Sequence, residues 1–158
     1  MEMRCEPAIR TSGLSWSAKP GLHGLERRCA NVVAVIMIGK QTWAIAEGYI
    51  PSGGAGEDDR ALVSHETACI LNPGDQDAKV EIMIYFKDRD PAGPYRHTVA
   101  AQRTLHLRFN DLEDPEIVPR DTDYASVISS DQPIVVQHTR LDSRRGGVAL
   151  LSTTAFSQ

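Results

Sequence analysis

Several polar side chains of this sequence fall on segments that otherwise alternate like β-strands. The clearest case is the stretch 133–142, which opens as a β-branched apolar run and then places His138 and Arg140 on the same face as Val136. An aromatic ring beside carboxylate, amide, imidazole and guanidinium groups suits a sugar or a small acid, because the ring stacks on an apolar face while fixed donors and acceptors bind hydroxyls or a carboxylate. The residues predicted on this basis to line a ligand site are Trp43, Glu47, His65, Glu66, Arg108, Asn110, His138 and Arg140.

Other interpretations of these side chains stay open. They could equally lie on the solvated outer face of a sheet. They could also form subunit contacts, since Trp and Arg are enriched in interfaces. The strand-borne His65, His106 and His138 invite a metal site, but no His-x-His pair occurs and Glu66 has the opposite parity to His65, so we predict no metal. Neighbouring residues alternate across a strand, so Ser64, His65 and Glu66 cannot form a catalytic triad. We expect no catalytic residues and no cofactor.

The charge of the sequence is unevenly distributed. The whole chain has a net charge of −4; residues 1–36 hold 5 basic and 3 acidic side chains, which leaves 12 basic and 18 acidic, a net of −6, in residues 37–158. An acidic domain repels nucleic-acid phosphates, so DNA binding would need a local basic patch. The one basic concentration is Arg140, Arg144 and Arg145, and nearby Asp142 favours a solvated turn there. A weak nucleic-acid contact at Arg144 and Arg145 stays an alternative, which a fourfold assembly would strengthen by repetition.

The elements that must position these residues are short strands separated by turns. Apolar and polar residues alternate, or form β-rich runs, over residues 42–50, 64–71, 80–86, 95–99, 103–109, 124–129, 133–142 and 148–155. Turn signals lie between these runs, among them residues 72–75 and 130–132. About eight strands at roughly ten-residue spacing, without a convincing amphipathic helix, predict an all-β antiparallel sandwich of jelly-roll type.

The N-terminal part of the sequence differs from the rest. Residues 1–36 show neither a helical nor a strand period, so we expect a disordered extension or an untranslated upstream segment, with Met37 as an alternative start and the domain spanning 37–158. Among the three cysteines only Cys69 lies in the patterned region, and an odd count without a disulfide framework favours a reducing compartment. No apolar run approaches the ~20 residues of a membrane span. We expect a cytoplasmic protein.

Several blocks of the sequence resemble one family closely. They are WAIAEGYIP at 43–51, SHET at 64–67, RFNDL at 108–112, GPYR at 93–96, DTDYASVI at 121–128, and residues 133–144. Together they are similar to the soluble transducer of a cyanobacterial sensory rhodopsin, the sensory rhodopsin transducer family. The likeness runs from about Thr42 to Ala155 and does not include residues 1–36.

The resemblance implies a jelly-roll β-sandwich that assembles as a planar homotetramer in the cytoplasm and has no catalytic activity. It also implies association with the cytoplasmic face of a membrane photoreceptor, a rhodopsin, with DNA as a further contact. Family members occur in organisms without a rhodopsin, and related domains have been proposed to bind sugar-like small molecules. We therefore predict a non-enzymatic signalling module. The alternatives are a carbohydrate-type binding domain unrelated to light and a weak DNA-binding transcriptional regulator.

Overall fold

A computed structural model describes residues 38–54, 59–144 and 147–158, and these ranges are almost entirely β-structure. The strands are β1 (Lys40–Tyr49), β2 (His65–Asn72), β3 (Ala78–Phe86), β4 (Ala92–Val99), β5 (Arg103–Arg108), β6 (Asp123–Asp142), β7 (Ala149–Thr154) and β8 (Phe156–Ser157), with a 3-10 helix at Phe109–Asp111. The predicted all-β antiparallel sandwich is confirmed. The predicted extension, residues 1–36, lies outside the described ranges, so its disorder and the domain start at Met37 stay predictions. No helix within the described ranges is long and apolar enough to cross a membrane.

One long strand, β6, belongs to both layers of the sandwich. Its first half pairs with β1 and β3 in a first layer of order β4-β3-β6-β1-β8, and its second half pairs with β2 and β7 in a second layer of order β5-β2-β6-β7. The turn predicted at residues 130–132 is therefore wrong: the chain stays extended where it passes from one layer to the other. Asp131 accepts a hydrogen bond from the Lys79 backbone N–H at 2.7 Å, which gives this polar side chain a partner within the sheet. Strands that change layers in this way form the corners of packed sheets.

The hydrophobic core lies between the two layers and follows the strand registers. In the first layer Trp43 pairs with Ile128, Ile128 with Ile82, and Ile82 with Tyr95, and all four side chains are buried. Side chains directly opposite each other on neighbouring strands share a face. A fully buried Ile stabilises the fold by about 1.5–3 kcal/mol relative to an exposed one. This core holds the inner face of β6 in place and so positions the polar residues at its end.

Candidate functional site

A buried carboxylate, that of Glu66, is the centre of a polar network inside the sandwich. Glu66 lies on β2 directly opposite Arg140 on β6, and its side chain has no solvent exposure. Its Oε1 accepts hydrogen bonds from the Tyr49 backbone N–H at 2.9 Å and from Arg140 Nε at 2.6 Å, and its Oε2 accepts one from the Tyr124 hydroxyl. A buried charge is tolerated only when it is paired and hydrogen-bonded. Glu66 meets both requirements.

Arg140 links this buried carboxylate to one at the surface. Its Nη2 lies 2.5 Å from Glu66 Oε1 and 2.5 Å from Glu47 Oε1. The Glu47 side chain is 63% exposed, whereas that of Arg140 is 20% exposed. The register of β1 against β6 shifts between Ile45 and Gly48, which is where the inward alternation of β1 breaks and Glu47 turns towards solvent. The guanidinium therefore spans the distance from core to surface.

His138 lies two residues before Arg140 on the same inward face of β6. It is 2% exposed, and its Nε2 stands 3.6 Å from Glu66 Oε2. This separation exceeds that of a hydrogen bond. Within the described residues the Nε2 atom has no hydrogen-bond partner. His138 is thus a buried polar side chain directed at the network but not bound into it.

Tyr124 reaches Glu66 because Gly48 leaves room for its ring. Gly48 and Tyr124 are paired across β1 and β6, and a Cβ added to Gly48 would overlap the Tyr124 ring. Buried tyrosine hydroxyls need a partner, and the carboxylate provides it. The ring also makes an edge contact with Phe109, with centroids 5.9 Å apart. A glycine on one strand thus positions a donor on the next.

The electrostatics of the network favour the charged forms of Glu66 and Arg140. Burial acts to raise the pKa of Glu66, but the adjacent His138 ring, the hydrogen bonds from the Tyr124 hydroxyl and the Tyr49 backbone N–H, and the Arg140 charge outweigh it and hold that pKa below its usual value. Burial acts to lower the pKa of Arg140, but its contacts with Glu47 and Glu66 leave it raised. Burial and the Glu66 charge raise the pKa of Tyr124. The network is therefore a set of charges held by hydrogen bonds and close ion pairs.

The structure divides the predicted ligand-site residues into those that meet and those that do not. Glu47, Glu66 and Arg140 belong to the network, and His138 lies beside it. Asn110 supports it indirectly, because its Oδ1 accepts from the Glu66 backbone N–H at 3.2 Å and its Nδ2 donates to the Ser64 carbonyl at 3.1 Å.

The other three predicted residues lie elsewhere. Trp43 is part of the apolar core, where its Nε1 donates to the Lys40 carbonyl at 3.0 Å. Arg108 donates to the Arg60 carbonyl at 2.8 Å, and His65 Nδ1 lies 2.6 Å from the Val63 carbonyl oxygen. Trp43 is therefore packed as a core side chain, and Arg108 and His65 make local backbone contacts.

Two members of the network do not appear among the predicted site residues. Tyr124 is the second residue of β6, and its parity matches that of the inward residues. A buried tyrosine hydroxyl needs a polar partner, so this parity could have identified Tyr124 as a site residue. The other member is the backbone N–H of Tyr49, which no side-chain pattern identifies.

Of the two arginines predicted as a nucleic-acid contact, the structure describes Arg144, and its charge is neutralised by Asp142. Arg144 donates to Asp142 from Nε at 3.0 Å and from Nη2 at 2.6 Å, and these bonds hold the pKa of Asp142 at about 2. Arg145 lies outside the described residues. A hollow of about 600 Å³ opens beside this pair and is lined by Asp142, Arg144, Gly147, Val148 and Ala149. Within the described ranges no group of three His, Cys, Asp or Glu side chains is placed to hold a metal ion.

These features define an antiparallel β-sandwich domain in which the inward Glu66, Tyr124 and Arg140 are bound to one another. The family model described as Anabaena sensory rhodopsin transducer matches residues 38–157, and the chain belongs to this family. The resemblance seen in the sequence is thereby confirmed.

Solved structures agree with this assignment. The Anabaena sensory rhodopsin transducer is 62% identical, with a TM-score of 0.59, over 66% of this chain and 100% of its own. The Thermotoga maritima protein 1070 is 34% identical, with a TM-score of 0.69, over 77% of this chain and 97% of its own. A search of curated proteins gives no match.

Proposed function

We propose that this chain is a non-enzymatic signalling module of the cytoplasm that relays the state of a sensory rhodopsin through binding and release. The observation that carries the proposal is the 62% identity to the Anabaena sensory rhodopsin transducer across the whole length of that protein. Its name describes a transducer of a sensory rhodopsin. At this level of identity we expect the two proteins to share the receptor class.

The internal network supports recognition over catalysis. A catalytic carboxylate must offer a lone pair or a proton to a substrate, but Glu66 has no solvent exposure and already binds Tyr49, Tyr124 and Arg140. Arg140 is held in turn by two carboxylates. Bonds of this kind inside the sandwich support a structural role for Glu66 and Arg140.

We propose further that the module acts as a homotetramer. A symmetric assembly would present several identical binding surfaces to membrane-bound receptors, which raises the apparent affinity of a weak contact. Light scattering on the purified chain measures the mass directly. A mass four times that of the 17.3 kDa chain is expected, and a monomer at micromolar concentration would contradict this part of the proposal.

Binding to a receptor tests the main proposal. The purified chain is titrated against Anabaena sensory rhodopsin held in lipid nanodiscs in the dark, with empty nanodiscs and an unrelated seven-helix protein as controls. Saturable binding to the rhodopsin alone is expected. Equal signals from rhodopsin and empty discs, or none from either, would reject the receptor class.

A small-molecule role is a second candidate, supported by the hollow beside Asp142 and Arg144. Its volume of about 600 Å³ is in the range of ligand pockets, and it combines a carboxylate and a guanidinium with the apolar Val148. A sugar-like or acidic ligand fits this chemistry. A thermal-shift screen against sugars and organic acids tests it: a ligand that stabilises the wild type but not Arg144→Gln supports the site. No stabilisation by any compound counts against it.

A further inference from the structure

The outward face of the first layer carries an uncharged row of apolar residues that the polar network does not use. Phe156 of β8 is paired with Ala44 of β1, and Ala44 is paired with Val127 of β6. Val127 is paired in turn with Met83 of β3. Because paired residues share a face of the sheet, these side chains form one continuous row across four strands.

A second row widens this face. Tyr85 of β3 is paired with Ala125 of β6, two residues along from Met83 and Val127. Phe156 is 67% exposed and Tyr85 is 42% exposed. We call the combined set the outer apolar strip; its members are Ala44, Met83, Tyr85, Ala125, Val127 and Phe156.

The size of the outer apolar strip favours a transient partner over a permanent subunit. Strands lie about 4.8 Å apart and alternate residues about 7 Å apart, so one row across four strands and a second across two outline an area of the order of 200 Å². A stable interface buries about 800 Å² per partner and an obligate one more. Exposed apolar patches of a few hundred Å² on a folded domain are commonly binding sites. The strip therefore matches the apolar centre of a small, reversible contact.

The charges at one border of the strip indicate the chemistry of that partner. Beyond Tyr85 and Ala125 lie Asp123 on β6 and, after β3, Lys87, Asp88 and Asp90. Within the described residues none of these four side chains forms a salt bridge, so three carboxylates stand against one lysine and the border is net acidic. Arg89 between them is bound to Glu116 at 2.9 Å. The opposite border is neutral, because Glu81 there is paired with Arg96 at 2.9 Å.

We propose that the outer apolar strip docks a protein segment that combines apolar residues with Lys and Arg. The apolar side chains cover the two rows, and the cations lie against the carboxylates of Asp88, Asp90 and Asp123. The inference rests on the proposed function, since a relay must release its partner. It also agrees with the excess of Lys and Arg in the cytoplasmic loops of membrane proteins.

A pair of synthetic peptides tests the proposal on the full chain. One is an 18-residue amphipathic helix of Leu and Lys, and the other replaces each Lys by Glu. Fluorescence anisotropy at about 0.15 M salt, where exposed charges beyond ~8 Å are screened, measures their affinities. The wild type is expected to bind the Leu–Lys peptide at least tenfold more tightly than the Leu–Glu peptide. Val127→Glu and Phe156→Ser are each expected to weaken that binding at least tenfold.

A matched control distinguishes binding at the outer apolar strip from non-specific binding to exposed apolar residues. Leu150 on β7 is also apolar and is 68% exposed, but it lies in the second layer. Leu150→Ser is expected to bind the Leu–Lys peptide like the wild type, and circular dichroism checks that each variant is folded. Should Val127→Glu fail to fold, Phe156→Ser decides, because Phe156 lies outside the core.

Several results would overturn the inference. Equal binding of both peptides, or binding of neither, is the first. Equal weakening by Leu150→Ser is the second, and binding to phosphatidylglycerol vesicles but not to the peptide is the third. A change in the mass of the assembly in Val127→Glu is the fourth, because it would make the strip a contact between copies of the chain. The rhodopsin titration keeps the two proposals distinct. If the wild type binds rhodopsin and Phe156→Ser and Val127→Glu bind it equally well, the docking surface is wrong and the receptor class stands. If the wild type does not bind rhodopsin, the receptor class fails.

Discussion

Glu66 and Arg140 face each other across β2 and β6, and their side chains meet inside the sandwich with 2.6 Å between Oε1 and Nε. Burying both charges costs several kcal/mol of desolvation, which their attraction only partly offsets. We expect the pair to contribute more to the register of the strands than to net stability. A slip of β2 by one residue would turn Glu66 outwards and bring His65 inwards opposite an unpaired Arg140.

The first prediction concerns the loss of Arg140. Arg140→Met leaves the Glu66 carboxylate buried without a counter-ion, so we expect the free energy of unfolding to fall by about 3–5 kcal/mol in urea titrations. The double variant Glu66→Leu with Arg140→Met removes both charges and is expected to recover much of this loss. Glu47→Gln serves as the control, because an exposed pair contributes about 0–1 kcal/mol. A cost for Arg140→Met no larger than that of the control would contradict the description of the network.

The second prediction concerns the Tyr124 hydroxyl. Tyr124→Phe keeps the ring in place and removes one donor to Glu66, and leaving a buried acceptor short of a partner costs about 1–3 kcal/mol. Chemical denaturation measures the change. Tyr85→Phe, on the outer face of the same layer, is expected to change stability by less than about 0.5 kcal/mol. Equal effects from the two tyrosines would show that the hydroxyl of Tyr124 is not specifically bound.

The third prediction concerns Gly48. Gly48→Ala places a methyl group where the Tyr124 ring lies, so we expect a loss of about 1–3 kcal/mol and an altered tyrosine signal in near-ultraviolet circular dichroism. Gly147→Ala is the matched control, because a Cβ there meets no atom within 4 Å. A Gly48→Ala protein as stable as Gly147→Ala would mean that the ring has room to move.

The fourth prediction concerns pH. The pKa of Glu66 is lowered in the folded protein, so on acidification the unfolded chain takes up a proton at this carboxyl before the folded chain does. Its contribution to stability is complete above the unfolded value of about 4.5 and disappears as the pH falls through the lower folded value. Denaturation midpoints of wild type and Glu66→Gln, measured from pH 7 to pH 3, are expected to converge at low pH. Parallel curves would exclude Glu66 as a source of the acid sensitivity.

The sequence predicted the fold class well because alternation survives in most strands. The number of eight strands, however, came from two errors that cancel. Residues 130–132 look like a turn, but β6 runs through them, because a strand that changes layers can carry polar residues at the crossing point. The predicted last strand, 148–155, corresponds to β7, and the short β8 that follows was not predicted; Ala155 turns into the core between the two. Alternation identifies extended chain but not the layer in which it pairs.

The site was predictable only in part. Parity along β6 placed His138 and Arg140 on the same face as Val136, and the structure turns that face inwards. The pairing of β2 with β6, which brings Glu66 opposite Arg140, depends on long-range register that one sequence does not encode locally. Trp43 was predicted as a stacking surface but is covered by the core, because its parity matches that of Ile45. Tyr49 contributes its backbone N–H, which every residue except proline carries, so the residue type could not predict this contact.

The most direct measurement of the central claim is the dissociation constant of this chain for Anabaena sensory rhodopsin in nanodiscs, compared in the dark and under continuous illumination. A relay requires different affinities for the dark and illuminated states of the receptor, because a partner that binds both states equally does not change the equilibrium between them. We predict saturable binding and a change of at least fivefold between dark and light, equivalent to about 1 kcal/mol. Equal dissociation constants in dark and light, or no binding in either, would contradict the account.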